Sequence, residues 1–171
     1  MKIIFKYFMV FALLLSLAGC SAKEEGAAAT DHAATTAPKD AEAQEKTASE
    51  LAEIVLNSVE FPQTVNVTDK DIIDGMGIAL SLTEEYAVIQ QMLSVDVAEI
   101  IILKIKDGSS IEQAVDSLQK RKDSLIHDFA FYPGQIESAE ATVVGSKGKI
   151  AYLICHKDAD IAEEKLLKEI S

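Results

Sequence analysis

Ala98-Glu99-Ile100-Ile101-Ile102-Leu103-Lys104-Ile105 holds four consecutive large aliphatic residues, the densest apolar run after the first twenty residues. β-Branched side chains fit a pleated surface. A run that is apolar at both odd and even positions suits a strand buried on both faces or central in its sheet. The stretch therefore predicts a core strand with an acid, Glu99, at its start.

Working outward, Glu84 to Leu93 carries Tyr86, Val88 and Ile89 and reads as a neighbouring strand. Ser94-Val95-Asp96-Val97 joins the two, so an antiparallel hairpin is expected. Asp107-Gly108 ends the second strand. Ser109-Ser110-Ile111-Glu112 fits a capping box, and Ile111, Val115, Leu118, Leu125 and Phe129 follow as the apolar stripe of a long helix, with Ile126 beside it. This helix is expected to stop before Pro133-Gly134. Ala141–Gly145 and Lys149–His156 read as a second hairpin, turning at Ser146-Lys147-Gly148. Ile161, Leu166, Leu167 and Ile170 mark a last helix that begins near Asp158 or Asp160.

Upstream, Thr47-Ala48-Ser49-Glu50 is another capping box, followed by Leu51, Ile54, Val55 and Val59 at helical spacing. Phe61-Pro62 closes that helix, because the residue before proline avoids helical backbone. The order is α-ββα-ββα. It predicts an α+β domain over residues 48–171, with an antiparallel sheet of about four strands and helices mostly on one face.

Residues 1–19 have the layout of a secretory leader: Lys2 and Lys6, an apolar run from Tyr7 to Ala18, then Ala18-Gly19 before Cys20. That run is nearer a dozen residues than the roughly 20 a spanning helix needs. Leu17-Ala18-Gly19-Cys20 resembles the lipobox of bacterial lipoproteins. The resemblance implies cleavage before Cys20 and a diacylglyceryl group on its thiol, and two acyl chains suffice for stable anchoring. Residues 20–47, rich in Ala, Thr, Glu and Lys, read as the lipidated cysteine and a disordered acidic, Ala-rich tether. The expected location is the cell membrane, lipid-anchored on its extracytoplasmic face.

The formal charge of the chain is −12, and loss of Lys2 and Lys6 with the leader makes the remainder more acidic still. Such a surface repels nucleic acid. Lys120-Arg121-Lys122, among Asp116, Asp123 and Asp128, reads as a solvated helix face. With Cys20 lipidated, Cys155 is the only other cysteine, so no intramolecular disulfide is available and the core must hold the domain together.

No catalytic or cofactor constellation stands out. Cys155 and His156 are adjacent on a strand and point to opposite faces, so they cannot form a thiolate–imidazole pair with each other; Cys155 reads as a buried structural thiol. His127-Asp128 and His156 lack metal-ligand spacing. Asp69, Asp71, Asp74 and Gly75 miss the calcium-loop pattern, since Ile73 stands at a ligand position and Ser81 where the glutamate belongs; Thr68 or Asp69 capping a short helix fits better. Gly145-Ser146-Lys147-Gly148-Lys149 lacks phosphate-loop spacing and lies between two strands. Two residues stand out as candidate contacts for a ligand or partner: Glu99 at the end of the apolar strand, and Tyr132 beside Pro133.

Several features then coincide in order. A lipobox and polar tether lead to a helix ending Val59-Glu60-Phe61-Pro62. Glu85-Tyr86-Ala87-Val88 precedes Ala98-Glu99-Ile100-Ile101-Ile102. A charged helix runs into Phe131-Tyr132-Pro133, and Lys149-Ile150-Ala151-Tyr152 precedes the last helix. Over roughly residues 49–171 this order resembles the lipoprotein family called domain of unknown function 4358, of Gram-positive-type bacteria. The resemblance implies the anchor and a small α+β domain, and no particular activity. Gly134-Gln135 departs from the acidic or helix-favouring residues expected there. The expectation for function is a non-catalytic module that needs no cofactor and binds an envelope protein or other envelope component. The alternative is a small solute-binding or transporter-accessory lipoprotein.

Overall fold

The computed structural model describes residues 45–93 and 96–170. The leader, Cys20 and the tether up to Gln44 lie outside the described residues. The described chain is an α+β domain around one antiparallel sheet. Its helices and strands are α1 (Ala48–Leu56), β1 (Thr64–Asn66), α2 (Lys70–Gly75), β2 (Thr83–Gln91), β3 (Glu99–Ile105), α3 (Ile111–Ser124), α4 (Pro133–Glu140), β4 (Val143–Lys147), β5 (Ile150–Cys155) and α5 (Ala159–Glu169).

The sheet has five strands in the order β1-β2-β3-β5-β4, one more than expected. The added strand, β1, pairs Thr64 with Gln91 and Asn66 with Ile89 at the sheet edge. Three residues are too few to show alternation, which is why the sequence pattern passes over it. The apolar run is central, as its composition requires: Ile100 pairs with Ile89 on β2 and with Ile154 on β5.

Both faces of β3 are buried, and this corrects the expectation of helices on one face. Ile100 and Ile102 join Ile154 and Tyr152 under α1 and α5, where Leu51, Val55, Ala162 and Leu166 pack. Ile101, Leu103 and Ile105 turn the other way, to Leu118 of α3, Ala139 of α4 and Ile73 of α2. Successive strand residues face opposite ways, so an unbroken aliphatic strand needs a helical layer on each side. Fully burying each such side chain contributes about 1.5–3 kcal/mol.

The Thr47 capping box forms as expected: Glu50 N–H donates to Thr47 Oγ1, and Thr47 N–H donates to Glu50 Oε2 at 2.8 Å. The box expected at Ser109 does not form. Asp107 Oδ1 instead accepts from Ser109 N–H at 3.0 Å, and a 3-10 turn leads into α3. After Ser124 the helix widens into a π turn over Leu125–Phe129. Pro133 then starts α4 at its first position, where a missing N–H costs nothing. The β4–β5 hairpin turns at Gly148-Lys149, slightly later than expected. Gly148 has φ +57, a positive value that two-residue hairpin loops favour at glycine.

Candidate functional site

Glu99 opens β3 and is 2% exposed, not the strand-end surface acid that its position suggests. A buried carboxylate must be paired, and the partner comes from α3. Arg121 donates from Nε to Glu99 Oε1 at 3.0 Å and from Nη2 to Oε2 at 2.7 Å. Gln90, opposite Glu99 on β2, adds a bond from Nε2 to Oε2 at 2.8 Å. This fork uses the geometry in which arginine binds carboxylate most strongly.

Arg121 therefore does not belong to the solvated basic face expected for Lys120-Arg121-Lys122; it is 7% exposed. Ala114, Ser117, Leu118 and Arg121 form the buried stripe of α3, with Leu125 continuing it. Periodicity alone could have flagged Arg121, because it falls one helical turn after Leu118. Its charged neighbours in sequence hide it. The π turn brings Phe129 under the same guanidinium, with Arg121 Cζ 5.0 Å from the ring centroid, within cation–π range.

These groups line a cleft of about 170 Å³ at the end of the sheet. Its walls include Gln91, Asp96 and Val97 from the β2–β3 hairpin and Leu125, Phe129 and Gln135 from the opposite side. Gln135 links the two candidate residues. It lines the cleft with Glu99, and its Oε1 accepts the N–H groups of Phe131 at 2.9 Å and Tyr132 at 3.2 Å. Gln135 is 4% exposed and so has a structural reason to stand where an acidic or helix-favouring residue is expected. Tyr132 itself is exposed.

Large apolar residues next along the chain from the cleft-lining residues remain open to solvent. Met92 (61% exposed) and Leu93 (59%) follow Gln91 on the hairpin. Phe131 (71%) and Tyr132 (67%) lie between Phe129 and Gln135 in the chain and are held to Gln135 through their N–H groups. The chain enters the domain at the opposite end of β3, where Lys104 pairs with Glu45 at 3.2 Å and with Glu84 at 3.5 Å. Lys104 is five residues from Glu99, a rise of about 17 Å along a strand, so Glu45 and the cleft lie at opposite ends of β3.

Asp96 also borders a second, more open hollow of about 320 Å³ beside Phe61 and His156. The His156 ring lies 4.7 Å from the Phe61 ring. Its Nδ1 accepts from Asp158 N–H at 3.1 Å, which leaves Nε2–H to donate to the Glu60 carbonyl at 3.1 Å. That is the pattern of a neutral imidazole. His127 sits elsewhere, exposed, with Nδ1 2.7 Å from the Asp123 carbonyl. No group of three or more metal-ligating side chains occurs among the described residues.

Cys155 is fully buried on the face opposite to the Phe61 side, with Sγ 3.6 Å from the Ser138 carbonyl. Burial pushes its thiol up to about 12. At neutral pH it holds its proton, and the nucleophilic form is the thiolate. The predicted lipid-bearing Cys20 lies outside the described residues.

The family described as Domain of unknown function (DUF4358) matches residues 57–156, well over half of the chain. The chain belongs to that family. The matched span begins where α1 ends, closes just after β5, and contains every residue that lines the cleft. No curated protein and no solved structure matches the chain. No helix among the described residues is long and apolar enough to cross a membrane.

Proposed function

We propose that this DUF4358 domain is a lipid-anchored, extracytoplasmic binding module without catalytic activity. It is held at the cell membrane through a diacylated Cys20 and docks another envelope protein at the cleft end of its sheet. One observation carries the reading: Phe131 and Tyr132, bonded through their N–H groups to the cleft residue Gln135, and Met92 and Leu93, next in the chain after the cleft residue Gln91, are all exposed. Apolar patches rimmed by polar groups mark interaction surfaces, and aromatic residues are enriched in such interfaces.

At this cleft, size favours a protein side chain over a small solute. Pockets for small molecules run about 300–1,000 Å³, and the cleft of about 170 Å³ has room for one long side chain. The buried, protonated Cys155 and doubly bonded His156 have structural roles, which supports a non-catalytic reading. The test is co-purification of the full-length lipidated protein from solubilised membranes, with Phe131→Ser/Tyr132→Ser as the comparison. The native chain retains a discrete partner that the variant loses at unchanged melting temperature. Equal recovery by both would remove the cleft end from the account.

A further inference from the structure

We propose that the cleft receives a basic side chain, arginine above all, from the partner protein, while the exposed apolar residues cover the surface around it. This inference rests on the docking function proposed above and adds the chemistry of the occupant.

The cleft lining holds two carboxylates, Glu99 and Asp96, against one cation, Arg121. Gln90 commits one amide N–H to Glu99, and Gln91 commits one to the Asp96 carbonyl at 2.7 Å. Asp96 uses Oδ1 to accept Val97 N–H at 2.7 Å, which leaves Oδ2 for a ligand. Arg121 is the one cation in the lining, and its charge is matched by the two-point fork to Glu99. Asp96 then leaves the lining with a net negative charge, inside a chain whose formal charge is −12. An anionic group entering there meets Asp96 and an already neutralised arginine. A guanidinium meets the Asp96 carboxylate and the Phe129 ring. Arginine is also among the residues that most often anchor an interface in a small, desolvated pocket.

The experiment places a photo-crosslinking residue at position 132 of the full-length chain in intact membranes and compares adduct yield across variants. Asp96→Asn keeps the acceptor for Val97 N–H and removes only the charge; it lowers the yield about 3- to 10-fold. Asp96→Lys lowers it at least 10-fold, and raised salt weakens the native adduct. Melting curves confirm that both variants fold; if Asp96→Lys does not fold, Asp96→Asn and the salt series decide. An adduct whose yield ignores Asp96 and salt overturns the basic-side-chain proposal and leaves the docking function standing. An adduct joining two copies of this chain overturns the separate-partner occupant. No adduct at all overturns the docking function and this proposal with it.

Discussion

Arg121 crosses from helix α3 to grip both carboxylate oxygens of Glu99, at 3.0 and 2.7 Å, with both residues nearly free of solvent. The pair closes the end of the central strand and forms the floor of the cleft. Removing one member of a buried pair strands the other charge, which costs about 3–5 kcal/mol. Arg121→Met and Glu99→Leu should each lower unfolding free energy by that amount in denaturant titration. The double variant, which buries no charge, should recover most of the loss. A double variant as unstable as the sum of the singles would show that the pair matters through packing alone.

A second constraint links Gly145 to Tyr152 across the β4–β5 hairpin. A Cβ at position 145 would stand 2.4 Å from Tyr152 Oη, whose hydroxyl donates to Glu163 at 2.7 Å. Gly145→Ala should therefore cost about 1–3 kcal/mol, the range for overpacking. Gly145→Ala combined with Tyr152→Leu should cost less than the two single changes together. Thermal melts of the four proteins test this coupling.

Cys155 sets a pH limit. Burial raises its thiol from the ordinary 9.0 to about 12. The folded state therefore holds a proton that the unfolded chain releases, and stability is full below about pH 9. It should fall as pH rises toward 12, by at most about 1.4 kcal/mol per pH unit from this group. Cys155→Ala should flatten that slope in denaturation series at pH 8 and pH 10. Iodoacetamide at pH 8 should label native Cys155 slowly and the unfolded chain fast.

The sequence also predicts that Cys20 carries the anchor. Cys20→Ala should abolish incorporation of labelled lipid and release the domain from the membrane fraction. A Cys20→Ala chain that stays membrane-bound and is processed normally would remove the lipid from the account.

How legible these features were depended on how far each signal reaches along the chain. The Ile100–Leu103 run, the Thr47 capping box and the two hairpins are local patterns, and the structure carries them. Glu99 was conspicuous as an acid beside an apolar run, yet its partner lies 22 residues away on another element, and nothing local joins them. Arg121 is hidden in the sequence because Lys120 and Lys122 flank it with like charge, while the helical period places the middle residue inward. Helix α4 was missed because Pro133 was read only as a stop, although proline is equally suited to a first helical position. β1 owes its pairing to β2 and not to its own three residues. The cleft itself has no local signal, because only the fold brings Gln91 and Asp96 together with Phe129 and Gln135.

The most direct test of the docking face contrasts two exposed positions in intact membranes. One photo-crosslinking residue replaces Tyr132 at the cleft, and another replaces Ile161 on α5, which is 48% exposed. The account predicts a discrete adduct with another envelope protein from position 132 and none from position 161. Adducts of equal yield from both positions, or none from 132, would contradict it.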